Sequence, residues 1–240
     1  IYEATAAAPD QIIPPDNFFQ YGGGQWQVAG AVVQIVTGKT INALFDEMYA
    51  VPCGLTSSGF SHMGPPDTTS PIIFPYPIAG TLASVPETTN THIEGGMYTT
   101  LGDYTKLLQM YLDGGACGAN QVHSAETIAL MQADRIADLG LSTNWSVFGL
   151  PEGYGSGWWV DRNEPGWVLD FGAYGALPYI DNNRDIAVLA LIEGNIFQGL
   201  ELLPALRATI SNAVDAFQPA PVFSSGDESE SGDAGTPSDG

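Results

Sequence analysis

Residues Phe19 to Gly30 read F-Q-Y-G-G-G-Q-W-Q-V-A-G, setting one tyrosine, Tyr21, on a glycine-rich turn that runs straight into a helix. Beyond the turn Trp26, Val28, Ala29, Val32, Val33 and Val36 recur at helical spacing. The three glycines permit positive φ and a close approach by another group. A tyrosine presented in this way is either a wet anchor or a catalytic hydroxyl.

Working outward, residues 1 to 18 are rich in Ala, Pro and Asp and read as a loop feeding the tyrosine turn. The helix is expected from about Gln25 to Thr37, closed by Gly38. A second is expected from Ile41 to Tyr49, with Ile41, Leu44, Phe45 and Met48 on one side and Pro52 as its stop. Ser57 to Asn90 is Pro-, Ser- and Thr-rich with little periodicity, which reads as a long surface excursion. Thr100 to Asp113 gives the clearest helical pattern, with a T-L-G-D start, a stripe of Tyr104, Leu107, Leu108, Tyr111 and Leu112, and Gly114 and Gly115 to close it. A short helix follows Ser124, with Ile128 and Met131 inward. The pattern then changes to strands at Tyr154–Val160, Trp167–Phe171, Ala176–Asp181 and Ile186–Glu193, joined by short turns as an antiparallel meander. Leu200 to Phe217 reads as a final helix. Residues 1–222 form one domain, and 223–240 form an acidic Ser/Gly tail whose composition cannot bury a core.

At 240 residues the chain can bury a sizeable core. Its net charge of −21 sets 27 acidic residues against six Lys and Arg. Nucleic acid is thereby excluded as a partner, since phosphate binding needs clustered cations. No apolar run reaches the roughly 18 residues of a membrane span. Cys53 and Cys117 lack the spacing of a metal site and are either a disulfide or two separate buried thiols. His62, His92 and His123 are scattered loop histidines, and neither a metal nor a cofactor is expected. Trp158, Trp159 and Trp167 read as core or cleft wall. Asp46 and Glu47 are neighbours on a helix and point apart, so they are no acid/base pair.

Four segments in order carry a resemblance: the Tyr21 turn; V-T-G-K-T with V-P-C-G-L-T-S-S-G-F; I-E-G-G-M-Y-T-T-L-G-D-Y-T-K-L-L-Q; and Y-G-S-G-W-W-V with F-G-A-Y-G-A-L-P-Y-I-D. From about Phe19 to Glu193 the chain resembles the β-lactamase-related serine hydrolases: class C β-lactamases, family VIII esterases and D-aminopeptidases. The resemblance implies an α/β, β-lactamase/transpeptidase-like fold, an antiparallel sheet with packed helices, whose N-terminal part is missing. It also implies an extracytoplasmic enzyme that cleaves a small-molecule ester or amide through an acyl-enzyme.

In that family the nucleophile is the serine of S-x-x-K. No such motif occurs here, because Lys39 and Lys106 are the only lysines and Lys106 reads as a surface residue. The resemblance therefore implies a nucleophile on an upstream segment or a separate docking chain, or else a non-catalytic module kept for binding or scaffolding. Tyr21 matches the family's catalytic tyrosine, and Gly23 falls where the family usually has asparagine. Asp170, Phe171 and Gly172 align with K-T-G or H-x-G. Gly172 would keep the backbone open, the Ala173 N–H would be an oxyanion donor, and Asp170 would disfavour anionic substrates while suiting neutral or amine-bearing ones. The competing reading of Asp170 is a solvated strand end. Glu94 and the Gly95–Gly96 pair border the cleft by analogy or simply form a tight turn.

Overall fold

The computed structural model describes residues 16–60, 91–143, 151–173, 175–192 and 196–217. Helix α1 (Gly23–Thr37) starts earlier than its apolar periodicity predicts, because Gly23 and Gly24 join its first turn. It stops at Gly38, whose φ of 68° lets its N–H return to the Gln34 carbonyl. Helix α2 is capped by the Thr40 hydroxyl, runs as α-helix over Ile41–Phe45, widens to a π-turn over Asp46–Ala50, and closes over Val51–Cys53. The expected stop at Pro52 is therefore corrected, since the chain winds on to Gly54. Pro52 has no N–H to give, and the wider turn precedes it. That turn also rotates the helix face. Ala50 is buried and Met48 is 44% exposed, not inward beside Phe45 as expected.

Strand β1 (Gly59–Phe60) pairs with β2 (Met97–Tyr98), a link too short to show as a sequence pattern. Helix α3 (Leu101–Leu112) begins at Thr100, whose hydroxyl accepts the Asp103 N–H, and buries Leu108. A hairpin of β3 (Ala116–Cys117) and β4 (Asn120–Gln121) follows. A disulfide between Cys53 and Cys117 joins the end of α2 to β3. Helix α4 (Ala125–Gln132) is capped by Ser124 and turns Ile128 inward.

The centre is a five-stranded antiparallel meander of β5 (Gly153–Tyr154), β6 (Trp159–Val160), β7 (Trp167–Leu169), β8 (Ala176–Asp181) and β9 (Ile186–Leu191), in that spatial order. The single strand expected over 154–160 is two, because the chain reverses at Gly157, φ 93°. Helix α5 (Ile196–Phe217) starts before Leu200 and contains Pro204. The alternation of side chains along each strand assigns the two faces. Trp167, Leu169, Leu177 and Tyr179 pack with Leu203 of α5, whereas Val168 and Ile180 pack with Leu108 of α3. The sheet is thus covered by helices on both faces, which is why Trp167, Val168 and Leu169 are all apolar and each 2% exposed.

By contrast the valine face of α1 is open, with Val32 and Val36 53% and 78% exposed. Among the described residues no single helix is long and apolar enough to cross a membrane, although α1 and α2 together pass that test with an 80° bend. The excursion beyond Phe60 and the 223–240 tail lie outside the described residues.

Candidate active site

Tyr21 is held by rings of the sheet edge. It meets Trp159 at 5.3 Å and Tyr154 edge-on at 5.9 Å between centroids, while Phe19 covers Tyr154 at 5.1 Å. The turn is closed by the Gln25 amide, which donates to the Gln20 carbonyl at 2.5 Å. Glu94 arrives from the segment before β2. The Gln27 side chain clamps that segment, donating to the Thr91 carbonyl at 3.3 Å and accepting the Ile93 N–H at 3.0 Å. A tight turn, with the Gly96 N–H on the His92 carbonyl at 2.8 Å, then presents Glu94. The tight-turn reading of this segment is thus observed, and the turn sets Glu94 beside Gly23.

Glu94 lies directly over Gly23, where a Cβ would collide with its carboxylate. A side chain at position 23 would require the Glu94 carboxylate to turn aside. The same carboxylate lies close enough to Tyr21 to act on its phenol. Burial first, then the charges of Asp170 and Glu94, hold the Tyr21 phenol well above the usual range. At neutral pH it is a neutral donor.

Asp170 directly follows β7, where its N–H donates to the Pro178 carbonyl at 3.0 Å. Strand parity turns it to the Val168 face, toward α3. There it lines a cavity of about 270 Å³ with Tyr104, Tyr111 and Trp158. Burial lifts its pKa to about 6, opposed by the Phe171 N–H and reinforced by Glu94. Asp170 in turn raises Tyr104 and Tyr111, in each case behind the larger effect of burial, with Tyr111 reaching about 12. The structure thus brings Tyr21, Gly23, Glu94 and Asp170 into one electrostatic neighbourhood.

The Gly172 N–H is already engaged with the Ala176 carbonyl at 2.8 Å, and a Cβ there would press on Ala176 at 3.2 Å. Its small size therefore has a structural reason in the β7–β8 turn. Ala173 is exposed, and its carbonyl accepts the Ile196 N–H at 3.1 Å. Its own N–H forms none of the described backbone hydrogen bonds.

The remaining candidates sit elsewhere. His123 bonds Tyr49 at 2.8 Å beside the disulfide hairpin, and burial lowers its pKa. Lys106 bridges Asp103 at 3.1 Å and the Gly54 carbonyl at 2.5 Å, a structural role at the surface. His62 lies outside the described residues. Among the described residues no three His, Cys, Asp or Glu side chains group as a metal site. Sequence reasoning missed Tyr104, Tyr111 and Tyr154 as site residues. Their helical or strand positions read as core, and only the fold shows that Tyr104 and Tyr111 line a cavity with Asp170 while Tyr154 packs on Tyr21.

A family model described as Beta-lactamase matches residues 4–208. Protein Rv1367c of Mycobacterium tuberculosis is 25% identical over 205 residues, a match that covers 69% of this chain and 46% of that protein. The chain thus spans about half the length of the curated relatives it matches. Among solved structures, a β-lactamase from Mycobacterium bovis superposes with a TM-score of 0.61 at 16% identity, covering 85% of this chain and 68% of that one. A simvastatin synthase variant from Aspergillus terreus gives a TM-score of 0.63 at 18% identity, covering 87% and 58% respectively. At these identities the two structures establish the shared fold alone.

Proposed function

The chain belongs to the beta-lactamase family, and from that membership we propose that it is part of a serine hydrolase acting on an ester or amide through an acyl-enzyme. The carrying observation is the neutral Tyr21 phenol within reach of the charge of Asp170, on the segment that runs on to the exposed Ala173, whose N–H is in none of the described backbone hydrogen bonds. The serine comes from an S-x-x-K segment outside this sequence. Its Oγ adds to the substrate carbonyl carbon while its proton passes to the adjoining lysine. The Ala173 N–H steadies the oxyanion. The bond to the leaving oxygen or nitrogen then breaks as Tyr21 gives its phenolic proton to that atom, and the lysine restores the proton. Water finally cleaves the acyl ester, releasing the acid and the free serine. The Cys53–Cys117 disulfide supports an extracytoplasmic location.

A second reading has one specific observation behind it. The Glu94 carboxylate fills the space over Gly23 where the family usually places asparagine, which suits a non-catalytic binding module. A serine-directed fluorophosphonate separates the two. This chain alone is expected to stay unlabelled, and the product of the gene read upstream through S-x-x-K is expected to take one label. Stoichiometric labelling of a serine within residues 1–240 would overturn the external nucleophile. No labelling of the longer product would leave the binding-module reading standing.

A further inference from the structure

We propose that the Asp170 cavity is an organic-ammonium site, taking the alkylammonium or trimethylammonium group of the ester or amide substrate. Phe45, Tyr49, Phe60, Tyr104, Tyr111 and Trp158 give it aromatic walls, and Asp170 is the single carboxylate among its described lining residues. A ring face attracts a cation through its quadrupole, more strongly where water is excluded. At about 270 Å³ the cavity lies at the small end of ligand pockets, which run to about 300–1,000 Å³. That size suits a head group, with the rest of the molecule left toward Tyr21 and the strand end.

Charge selects the ligand class. Among the described residues no lysine or arginine pairs with Asp170. Lys39 is held by Glu47, Lys106 by Asp103, Arg162 by Asp134, Arg184 by Asp181 and Asp215, and Arg207 by Asp161 and Glu164. Glu94 adds a second negative charge that Asp170 feels, and its own described ion-pair partner is the His92 ring at 3.8 Å. The surrounding phenols are neutral donors that cannot cancel either charge. An anion is repelled from such a site, and an uncharged ligand leaves Asp170 uncompensated. A hard metal ion needs a shell of several oxygens, whereas this cavity offers one carboxylate among rings. A carboxylate set among ring faces matches a weakly hydrated organic cation.

That the ammonium belongs to a substrate rests on the hydrolase reading, but the binding itself does not, so the two fail separately. The test is calorimetric titration of this chain with choline and with 3,3-dimethylbutanol, its uncharged isostere. Choline is expected to bind saturably and at least tenfold more tightly than the isostere. Asp170→Asn is expected to weaken choline at least tenfold while leaving the isostere unchanged. Tyr104→Leu, which keeps the apolar volume, is expected to weaken choline alone. Absence of choline binding to the unmodified chain, or equal binding of choline and isostere, overturns the inference. A chain that binds choline while the longer gene product resists fluorophosphonate keeps the site and loses the enzyme.

Discussion

Replacing Asp170 by asparagine should make the protein more stable at neutral pH. Burial raises the carboxyl from 3.8 to about 6, and at roughly 1.36 kcal/mol per unit that is at most about 3 kcal/mol. Asp170 is only partly buried by surface area, and solvent relaxation lowers the figure to roughly 1–2 kcal/mol. The sign follows from linkage. The folded pKa lies above the unfolded one, so folding favours the protonated form. The stabilisation is present below the unfolded pKa, near 4, and is lost as pH rises through about 6. Asparagine mimics the protonated state at every pH. The variant should therefore gain roughly 1–2 kcal/mol at pH 7.5, or about 3–6 °C in melting temperature, and the gain should vanish by about pH 4.

Urea denaturation of both proteins, followed by tryptophan fluorescence between these limits, measures the difference directly. Asp103 and Asp134 have lowered pKa values, so their stabilisation is lost in acid, but it is common to both proteins and cancels. Glu94, Tyr21, Tyr104 and Tyr111 face Asp170 in both. A variant less stable than its parent at pH 7.5, or a gain that does not depend on pH, would refute the reasoning. Choline should narrow the variant's advantage by binding the parent more tightly, which ties the stability deficit to the cavity's use.

Gly23→Ala should destabilise by at most about 1 kcal/mol, because the new Cβ meets only the far end of the flexible Glu94 side chain, which can turn aside. The loss should largely disappear in a Glu94→Ala background, and an equal loss in both backgrounds would show that Glu94 is not the obstacle. Reduction of the Cys53–Cys117 bridge, which closes a sequence separation of 64, should cost about 4 kcal/mol by chain entropy. Urea midpoints with and without reductant measure it, and coincident midpoints would contradict the prediction.

Local chemistry explains what the sequence made legible. The α3 stripe and its Thr100 cap lie within a few residues of one another, so spacing alone located them. The meander was legible for the same reason, because short turns join strands that pair with their neighbours. The split between β5 and β6 was missed because G-S-G-W reads equally well as strand or turn until Gly157 takes positive φ. In α2 the π-turn moved Met48 outward, and no propensity reports a change of helical pitch. The valines of α1 announced an apolar face, yet periodicity cannot say what covers it, and here that face is open.

The cleft combines two kinds of information that become legible at different levels. Asp170 follows Leu169 in strand parity, so the face it shares with Val168 could be read from sequence once β7 was recognised. Its significance could not, because it depends on a charge balance assembled from distant segments. Two carboxylates, Glu94 from the turn before β2 and Asp170 from the end of β7, converge where every described Lys–carboxylate and Arg–carboxylate ion pair lies elsewhere. A net charge of −21 gives no warning of this, since surface carboxylates are solvated and need no partner. Only burial makes an uncompensated charge costly. A fold that keeps such a charge among aromatic rings is destabilised when empty, and a cation entering the cavity removes that penalty as it binds.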